Sequence, residues 1–232
     1  MEYTIVREII YFIYSTYIRL SSFLKRLNVQ IKQSKLFKCK LHLIRNNAVF
    51  FHHCKCSRSI FSVEGEKNFI SVKGTIHNSN VKIVGTGNKL FINDVHIDKM
   101  RLVIRGNNCI VKIGKGSTIG EAFIVCMGQT NSIVIGEKCM LSEKVDIWNT
   151  DSHPIYDKNG IILNKSKPIN IGNKVWLGKD VKILKGVSIG EGAIVGMGAI
   201  VTKNLNPYSL YVGNPIKMIK ENVSWDNHFI EI

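Results

Sequence analysis

From Ile171 to Leu205 the aliphatic positions Ile171, Leu177, Ile183, Ile189, Val195 and Val201 recur every sixth residue. Val175, Val181, Val187, Ala193, Ala199 and Leu205 repeat with the same period four places later. A period of six belongs neither to a helix, where apolar residues return every three or four, nor to one strand, where they return every two. It predicts a solenoid of stacked short parallel strands, with one aliphatic residue of each hexapeptide pointing inward and a small residue filling the turn. Gly172, Gly178, Gly186, Gly190, Gly192, Gly196 and Gly198 punctuate the corners of that pattern. The competing reading, a glycine-rich sandwich with accidental periodicity, must account for six consecutive matches at both positions.

A looser repeat runs upstream from about Ser59. Gly65-Asn68-Ile70-Val72, Gly85-Asn88-Leu90-Ile92 and Gly128-Asn131-Ile133-Ile135 share one pattern, with an imperfect copy at Gly106-Asn108-Ile110; the glycines lie 20, 21 and 22 residues apart. Three hexapeptides make 18, so each copy reads as one coil with a few extra residues at a corner. Gly and Asn are expected there because both accept left-handed backbone geometry. Ile113, Ile119 and Val125, then Ile135, Leu141 and Ile147, carry the six-residue step toward the strict array.

Between Ile147 and Ile171 the array breaks for 23 residues, beginning Trp148-Asn149-Thr150-Asp151-Ser152-His153-Pro154-Ile155-Tyr156-Asp157. A solenoid that keeps its period on both sides throws such a segment outward, and loops on rigid scaffolds are where chemistry is usually placed. The expected organisation is therefore an N-terminal region 1–58, one continuous solenoid 59–205 with its loop at 148–168, and a C-terminal cap 206–232.

Within the N-terminal region, Val6, Ile9, Ile13, Leu20, Phe23 and Leu27 follow helical spacing, with Thr16 in the same series and Glu8, Ser15, Arg19, Ser22 and Arg26 opposite. This predicts an amphipathic helix. Its apolar run is shorter than the ~20 residues a membrane span needs, and neither a basic leader nor a small-residue cleavage site flanks it. It is expected neither to span nor to be cleaved. It either packs on the solenoid or a partner subunit, or lies on an anionic membrane surface. Residues 29–58 carry no clear period and read as a basic connector holding one or two strands.

Charge narrows the partners. The formal charge is +15, and the first 60 residues hold eleven Lys/Arg against Glu2 and Glu8. Such a balance suits nucleic acid, an anionic membrane, or an acidic substrate or cofactor. No zinc-finger spacing, RNP-like strand or recognition helix accompanies it, so no nucleic-acid partner is expected. Cys39, Cys54, Cys56, Cys109, Cys126 and Cys139 lack the spacing of a disulfide scaffold. A reduced, cytoplasmic protein is expected, with the inner face of the cytoplasmic membrane as the second placement. His52-His53-Cys54-Lys55-Cys56 lacks a second ligand pair at zinc-site spacing, and no metal is expected.

The runs Ile171-Gly-Asn-Lys-Val-Trp176-Leu-Gly178, Gly186-Val-Ser-Ile-Gly190, Val195-Gly-Met-Gly198, Val201-Thr-Lys203 and Gly213-Asn-Pro215, preceded by Asp151-Ser-His153-Pro154, resemble the hexapeptide-repeat acyltransferases. Within that family they look most like sugar O-acetyltransferases, the galactoside enzymes and those of bacterial capsule and lipopolysaccharide. The resemblance covers roughly residues 102–220. It implies an all-β solenoid wound as a left-handed parallel β-helix, against the right-handed crossover rule. It also implies a homotrimer with each active site between two subunits, and acetyl-CoA as donor.

Carried over by position, the resemblance makes His153 the catalytic base. An imidazole titrating near neutrality can take the proton of a sugar hydroxyl as it attacks a thioester, without a covalent enzyme intermediate. Asp151, Asp157 or a backbone carbonyl would orient the ring. A backbone N–H around Gly178-Lys179 would meet the oxyanion. Met197, Thr202 and Lys203 match positions that contact coenzyme A, and Lys217 and Lys220 match basic tail positions facing its phosphates. Trp176 is expected at the wall of the acceptor or pantetheine channel, with Trp148 and Asp151 also on the acceptor side. The rival readings are N-acetyl transfer to a nucleotide-linked amino sugar, a zinc-dependent carbonic anhydrase on the same solenoid, and a non-catalytic membrane-docking solenoid.

Overall fold

The structure, a computed structural model, describes residues 8–12, 28–44 and 46–228. Its strands stack as a left-handed parallel β-helix with three faces. In the strict array the first face holds Ser132–Ile135, Ile169–Ile171 and Ser188–Ile189; the second holds Met140–Leu141, Trp176–Leu177 and Ile194–Val195. The third holds Val145–Trp148, Lys182–Ile183 and Ile200–Val201. Every neighbouring pair is parallel and in register, so Leu141, Leu177 and Val195 form one inward column, and Ile147, Ile183 and Val201 another. All six are buried. The period of six is the length of one face plus its corner, and the hydrophobic effect holds the register because a slip would turn an aliphatic column to water.

The solenoid begins earlier than expected. Residues 29–58 are not a connector: Val29–Lys32, Lys35–Phe37, Cys39–Leu43 and Ala48–Ser57 pair in parallel with the coils that follow them. Val29, Leu36, Leu41, Val49 and Phe51 enter the core. Glycine punctuation is missing here because the corners are turned by Asn28, Gln33, Lys38, Asn46, His53 and Arg58, all at positive φ. Of these, Gln, Lys, His and Arg carry little turn signal.

Of the segment expected to be an amphipathic helix, Glu8–Phe12 is described, and it is a strand; the rest lies outside the described residues. Its sequence, EIIYF, is rich in β-branched and aromatic residues, which favour strands. It pairs antiparallel with Cys39–Leu43, with Ile10 opposite Leu41, and so caps a backbone edge that would otherwise stay open. At the other end Ser209–Val212 and Lys217–Glu221 form an antiparallel hairpin with Tyr211 and Ile216 buried, consistent with a terminal cap.

The two motif residues divide their work differently from the sequence expectation. Gly65, Gly85, Gly106 and Gly128 do take positive φ. They also stack, and a Cβ at Gly106 would overlap the Gly128 carbonyl oxygen. Asn108 of the imperfect copy is left-handed as expected, but Asn68 and Asn88 are not; they are buried and build an internal amide ladder. Asn68 Oδ1 accepts from Asn88 N (2.9 Å), Asn88 Oδ1 accepts from Cys109 N (2.9 Å), and Asn88 Nδ2 donates to Gly106 O (2.8 Å). The amide satisfies backbone groups that the corner leaves unpaired inside the prism.

All six cysteines are buried free thiols. Strand alternation sends Cys54 and Cys56 into the core and leaves His53 exposed, which separates the residues of the metal-like run. Among the described residues no three His, Cys, Asp or Glu side chains converge on a metal position, and no helix is long and apolar enough to cross a membrane.

Candidate active site

The loop leaves the corner between the third and first faces as a hairpin. Its root is pinned by Asn149, which is fully buried: its Oδ1 accepts from Met127 N (2.7 Å) and its Nδ2 donates to Met127 O (3.1 Å). Its carbonyl accepts from Lys167 N (3.0 Å), closing the far end of the loop. Along the stem Tyr156 bridges Ile162, and Leu163 N donates to Ile155 O at 2.8 Å. At the tip the Asp157 carboxylate accepts from the N–H groups of Asn159 and Ile161, both at 2.8 Å.

His153 is exposed on this hairpin and lines a groove of about 400 Å³ with Gln129, Asn131, Thr150, Asn164 and Lys165. Its backbone is held on both sides: its N–H donates to Asp151 O (2.7 Å), and its carbonyl accepts from Asn164 Nδ2 (2.9 Å). No described residue hydrogen-bonds its ring. The candidates for orienting that ring are spent elsewhere. Asp157 caps the tip, and the Asp151 carboxylate accepts from Asn164 Nδ2 (2.8 Å) and from the Lys185 ammonium. Lys185 beside it holds the Asp151 carboxyl below the usual range. Lys185 Nζ also reaches Asn164 O at 3.1 Å. The loop position of His153 is therefore fixed through backbone, by a latch of Asp151, Asn164 and Lys185.

The other expected residues fall in two places. Thr202 and Lys203 lie on the same corner as the loop, both exposed, directly after Ile200–Val201. Gly178, Lys179 and Met197 lie on the opposite corner, between the second and third faces, and Met197 is 72% exposed. The groove that contains His153 includes none of these. The Gly178 N–H is committed to Val195 O (2.8 Å), so it is not free for an oxyanion. Lys179 Nζ pairs with Glu143 at 2.8 Å, which holds that carboxyl below its usual range. Lys217 and Lys220 are exposed on the terminal hairpin.

Trp148 stands at the loop root on the third face, edge-on to Phe123 with centroids 5.0 Å apart. Trp176 faces outward from the second face under Trp225, whose ring centroid is 5.9 Å away and whose Nε1 donates to Lys174 O (2.6 Å). The Trp176 Nε1 is buried without a hydrogen-bond partner.

Comparison with known proteins agrees with the fold. Residues 168–203 match the bacterial transferase hexapeptide model, described as six repeats. The chain is 37% identical over 120 residues to a polysialic acid O-acetyltransferase of Neisseria meningitidis, covering 50% of this chain and 55% of that protein. It is 42% identical over 116 residues to a polysialic acid O-acetyltransferase of Escherichia coli O1:K1 / APEC, covering 50% of this chain and 38% of that protein. The matched stretch thus spans about half or less of the relatives' length. The solved polysialic acid O-acetyltransferase OatWY superposes with a TM-score of 0.71 at 29% identity, over 87% of this chain and 92% of that one. The chain resembles the hexapeptide-repeat acyltransferases, in its strict array by sequence and over most of its length by fold.

That resemblance accounts for the array, yet three parts of the candidate site carried no sequence signal. Lys185 and Asn164 act only through spatial contact with Asp151. Trp225 lies 49 residues beyond Trp176 in the chain, in a tail with no repeat to register it.

Proposed function

We propose that the protein is an acetyl-CoA-dependent O-acetyltransferase acting on a hydroxyl of a bacterial surface glycan or its precursor, with His153 as general base. The observation that carries this reading is the position of His153. Its imidazole stands unpaired in an open groove, on a hairpin whose backbone is latched at both ends, so the base is held without its nitrogens being consumed. Acetyl-CoA would supply an activated acyl group on a thiolate leaving group. His153 takes the hydroxyl proton as the oxygen attacks the thioester carbonyl, and returns it to the sulfur as the C–S bond breaks. Gly198, at positive φ with nothing near a would-be Cβ, leaves the corner beside Met197 open for a narrow chain such as pantetheine.

Within one chain the half carrying Gly178, Lys179 and Met197 and the half carrying His153, Thr202 and Lys203 flank opposite edges of the third face. A site that uses both is completed by a second copy of the chain, which supports a homotrimer with sites between subunits. Both matched relatives are named for polysialic acid, which favours an acidic glycan acceptor and suits a chain of charge +15. The cytoplasm is the proposed compartment, in keeping with six free thiols.

The deciding experiment is thiol release from acetyl-CoA against neutral and acidic oligosaccharides, with His153→Ala alongside. Saturable release with one glycan, abolished in the variant while acetyl-CoA binding and assembly persist, is the expected outcome. Release that survives His153→Ala removes the histidine from the mechanism. Release with amino sugars alone transfers the assignment to N-acetylation.

A further inference from the structure

A groove of about 480 Å³ runs along the edge of the third face upstream of the strict array. Its floor is one register column, Asn80–Arg101–Phe123–Asp146, each residue one coil below the last. The Arg101 guanidinium lies over the Phe123 ring at 4.5 Å from its centroid. Phe123 in turn meets Trp148 edge-on, which links the column across the third face to the root of the His153 hairpin.

The charges of this groove sort themselves. Glu121 is paired with Lys99 at 2.7 Å, and Asp180 with Lys182 at 2.6 Å. Asp146 is partly buried, and desolvation pushes its carboxyl above the usual range. Arg101 is exposed and has no carboxylate partner among the described residues. A guanidinium stacked on an aromatic face has its orientation fixed and its donor fork left free, the arrangement suited to bidentate recognition of a carboxylate. The low cost of ordering such a group is what separates it from an ordinary surface lysine.

We infer that Arg101, stacked on Phe123, forms a remote acceptor subsite that binds the carboxylate of a sugar residue two or more units away from the one being acetylated. This rests on the glycan-acceptor reading above and extends it to an acidic polymer. Coils repeat at about 4.8 Å, so Arg101 lies roughly 10 Å along the axis from the coil that carries Trp148 and the hairpin. A single sugar beside His153 does not cover that distance; an oligomer does. Asp146 and Asn80 flank the track with groups that bond sugar hydroxyls. Binding energy gained at Arg101 is then available only to long acceptors.

The test measures acceptor KM against chain length, using sialic acid oligomers as the probe, for the full chain and for Arg101→Gln and Arg101→Lys. In the parent protein KM falls as the oligomer lengthens. Arg101→Gln removes that gain, raising KM for long oligomers by roughly tenfold while the monomer and acetyl-CoA constants stay put. Arg101→Lys restores only part, because the fork is lost. Amidating the oligomer carboxylates removes the gain in the parent as well. An Arg101→Gln protein with the parent's length dependence overturns the subsite and leaves O-acetyl transfer standing. If the parent acetylates no glycan, the functional reading fails, and calorimetric binding of the same oligomers decides the subsite: weaker binding by Arg101→Gln upholds it, and equal binding or none overturns it.

Discussion

Lys185 reaches back from the coil below the His153 hairpin to grip the carboxylate of Asp151, two residues before the histidine. Asn164 joins them from the returning strand of the hairpin, bonding Asp151 Oδ2 and the His153 carbonyl at 2.8 and 2.9 Å. Lys185→Ala therefore loosens the proposed base, His153, without removing it. Turnover is expected to fall by about tenfold, since misplacing a reacting group by a fraction of an ångström is costly. The melting temperature should hardly move, because a partly exposed ion pair is worth about 0–1 kcal/mol. Loss of turnover together with loss of the fold would instead make Lys185 a scaffold residue.

The same latch sets a pH dependence. Lys185 lowers the folded Asp151 pKa below its ordinary 3.8, so its contribution is complete above that value and disappears as pH falls through the lower folded one. The hairpin should stay intact from neutrality down to about pH 4. Pepsin cleavage within residues 148–168 should then rise on further acidification. An Asp151→Asn protein should show raised cleavage already at about pH 4, where the parent latch is still intact, which separates this latch from general acid unfolding.

A tryptophan pair offers an optical check on the tail. Trp225 covers Trp176, with ring centroids 5.9 Å apart. Trp225→Phe removes the bond from Nε1 to the Lys174 carbonyl but keeps a ring in place; truncation before Asn222 uncovers Trp176 altogether. Emission of the truncated protein should shift to the red and become quenchable by iodide, whereas Trp225→Phe should remain protected. A truncated protein with unchanged quenching would mean that the tail does not rest there in solution.

The period of six made the strict array legible because every face there has the same length and each corner is marked by glycine or a small residue. The catalytic candidate was legible for a related reason, since His153 sits in the one long interruption of that period. Upstream, Gln33, Lys38, His53 and Arg58 turn corners with residues that say nothing locally, and long coils let Lys89–Asn107 pass through all three faces as one strand. Glu8–Phe12 looked helical because apolar spacing over so short a stretch fits either period. Arg101, Lys185 and Trp225 were not legible at all, because each acquires its role from a residue on another coil.

Gly106 tests the coil stacking directly. Its φ is +132° and a Cβ there would overlap the Gly128 carbonyl, so Gly106→Ala strains the backbone and forces two coils apart. Gly160, at φ +79° on the hairpin tip, has nothing within 4 Å of a would-be Cβ. Gly160→Ala should cost only the backbone strain, about 1 kcal/mol, or a few degrees of melting temperature. Gly106→Ala should cost clearly more. Equal shifts would show that the coils are spaced more loosely than the glycine column indicates.

The asparagine ladder sets the stability of the upstream half. Asn88 serves three backbone or amide groups: it donates to Gly106 O, accepts from Cys109 N, and its own N–H bonds Asn68 Oδ1. Asn88→Ala keeps the last bond and strips the first two, leaving a partly buried carbonyl and a buried N–H unpaired. Each such group costs about 1–3 kcal/mol, so the variant should lose several kcal/mol in total, far more than a surface Asn→Ala. Asn88→Asp separates hydrogen bonding from volume: the acceptor survives, but the donor to Gly106 becomes a carboxyl that must take up a proton to replace it. Its stability should therefore improve as pH falls toward the carboxyl range, opposite in sign to the Asp151 latch, and equilibrium denaturation at two pH values reads the difference. A melting temperature for Asn88→Ala within a degree of the parent would show that water enters the prism to satisfy those groups, and that the ladder is an ornament of the interior rather than its fastening.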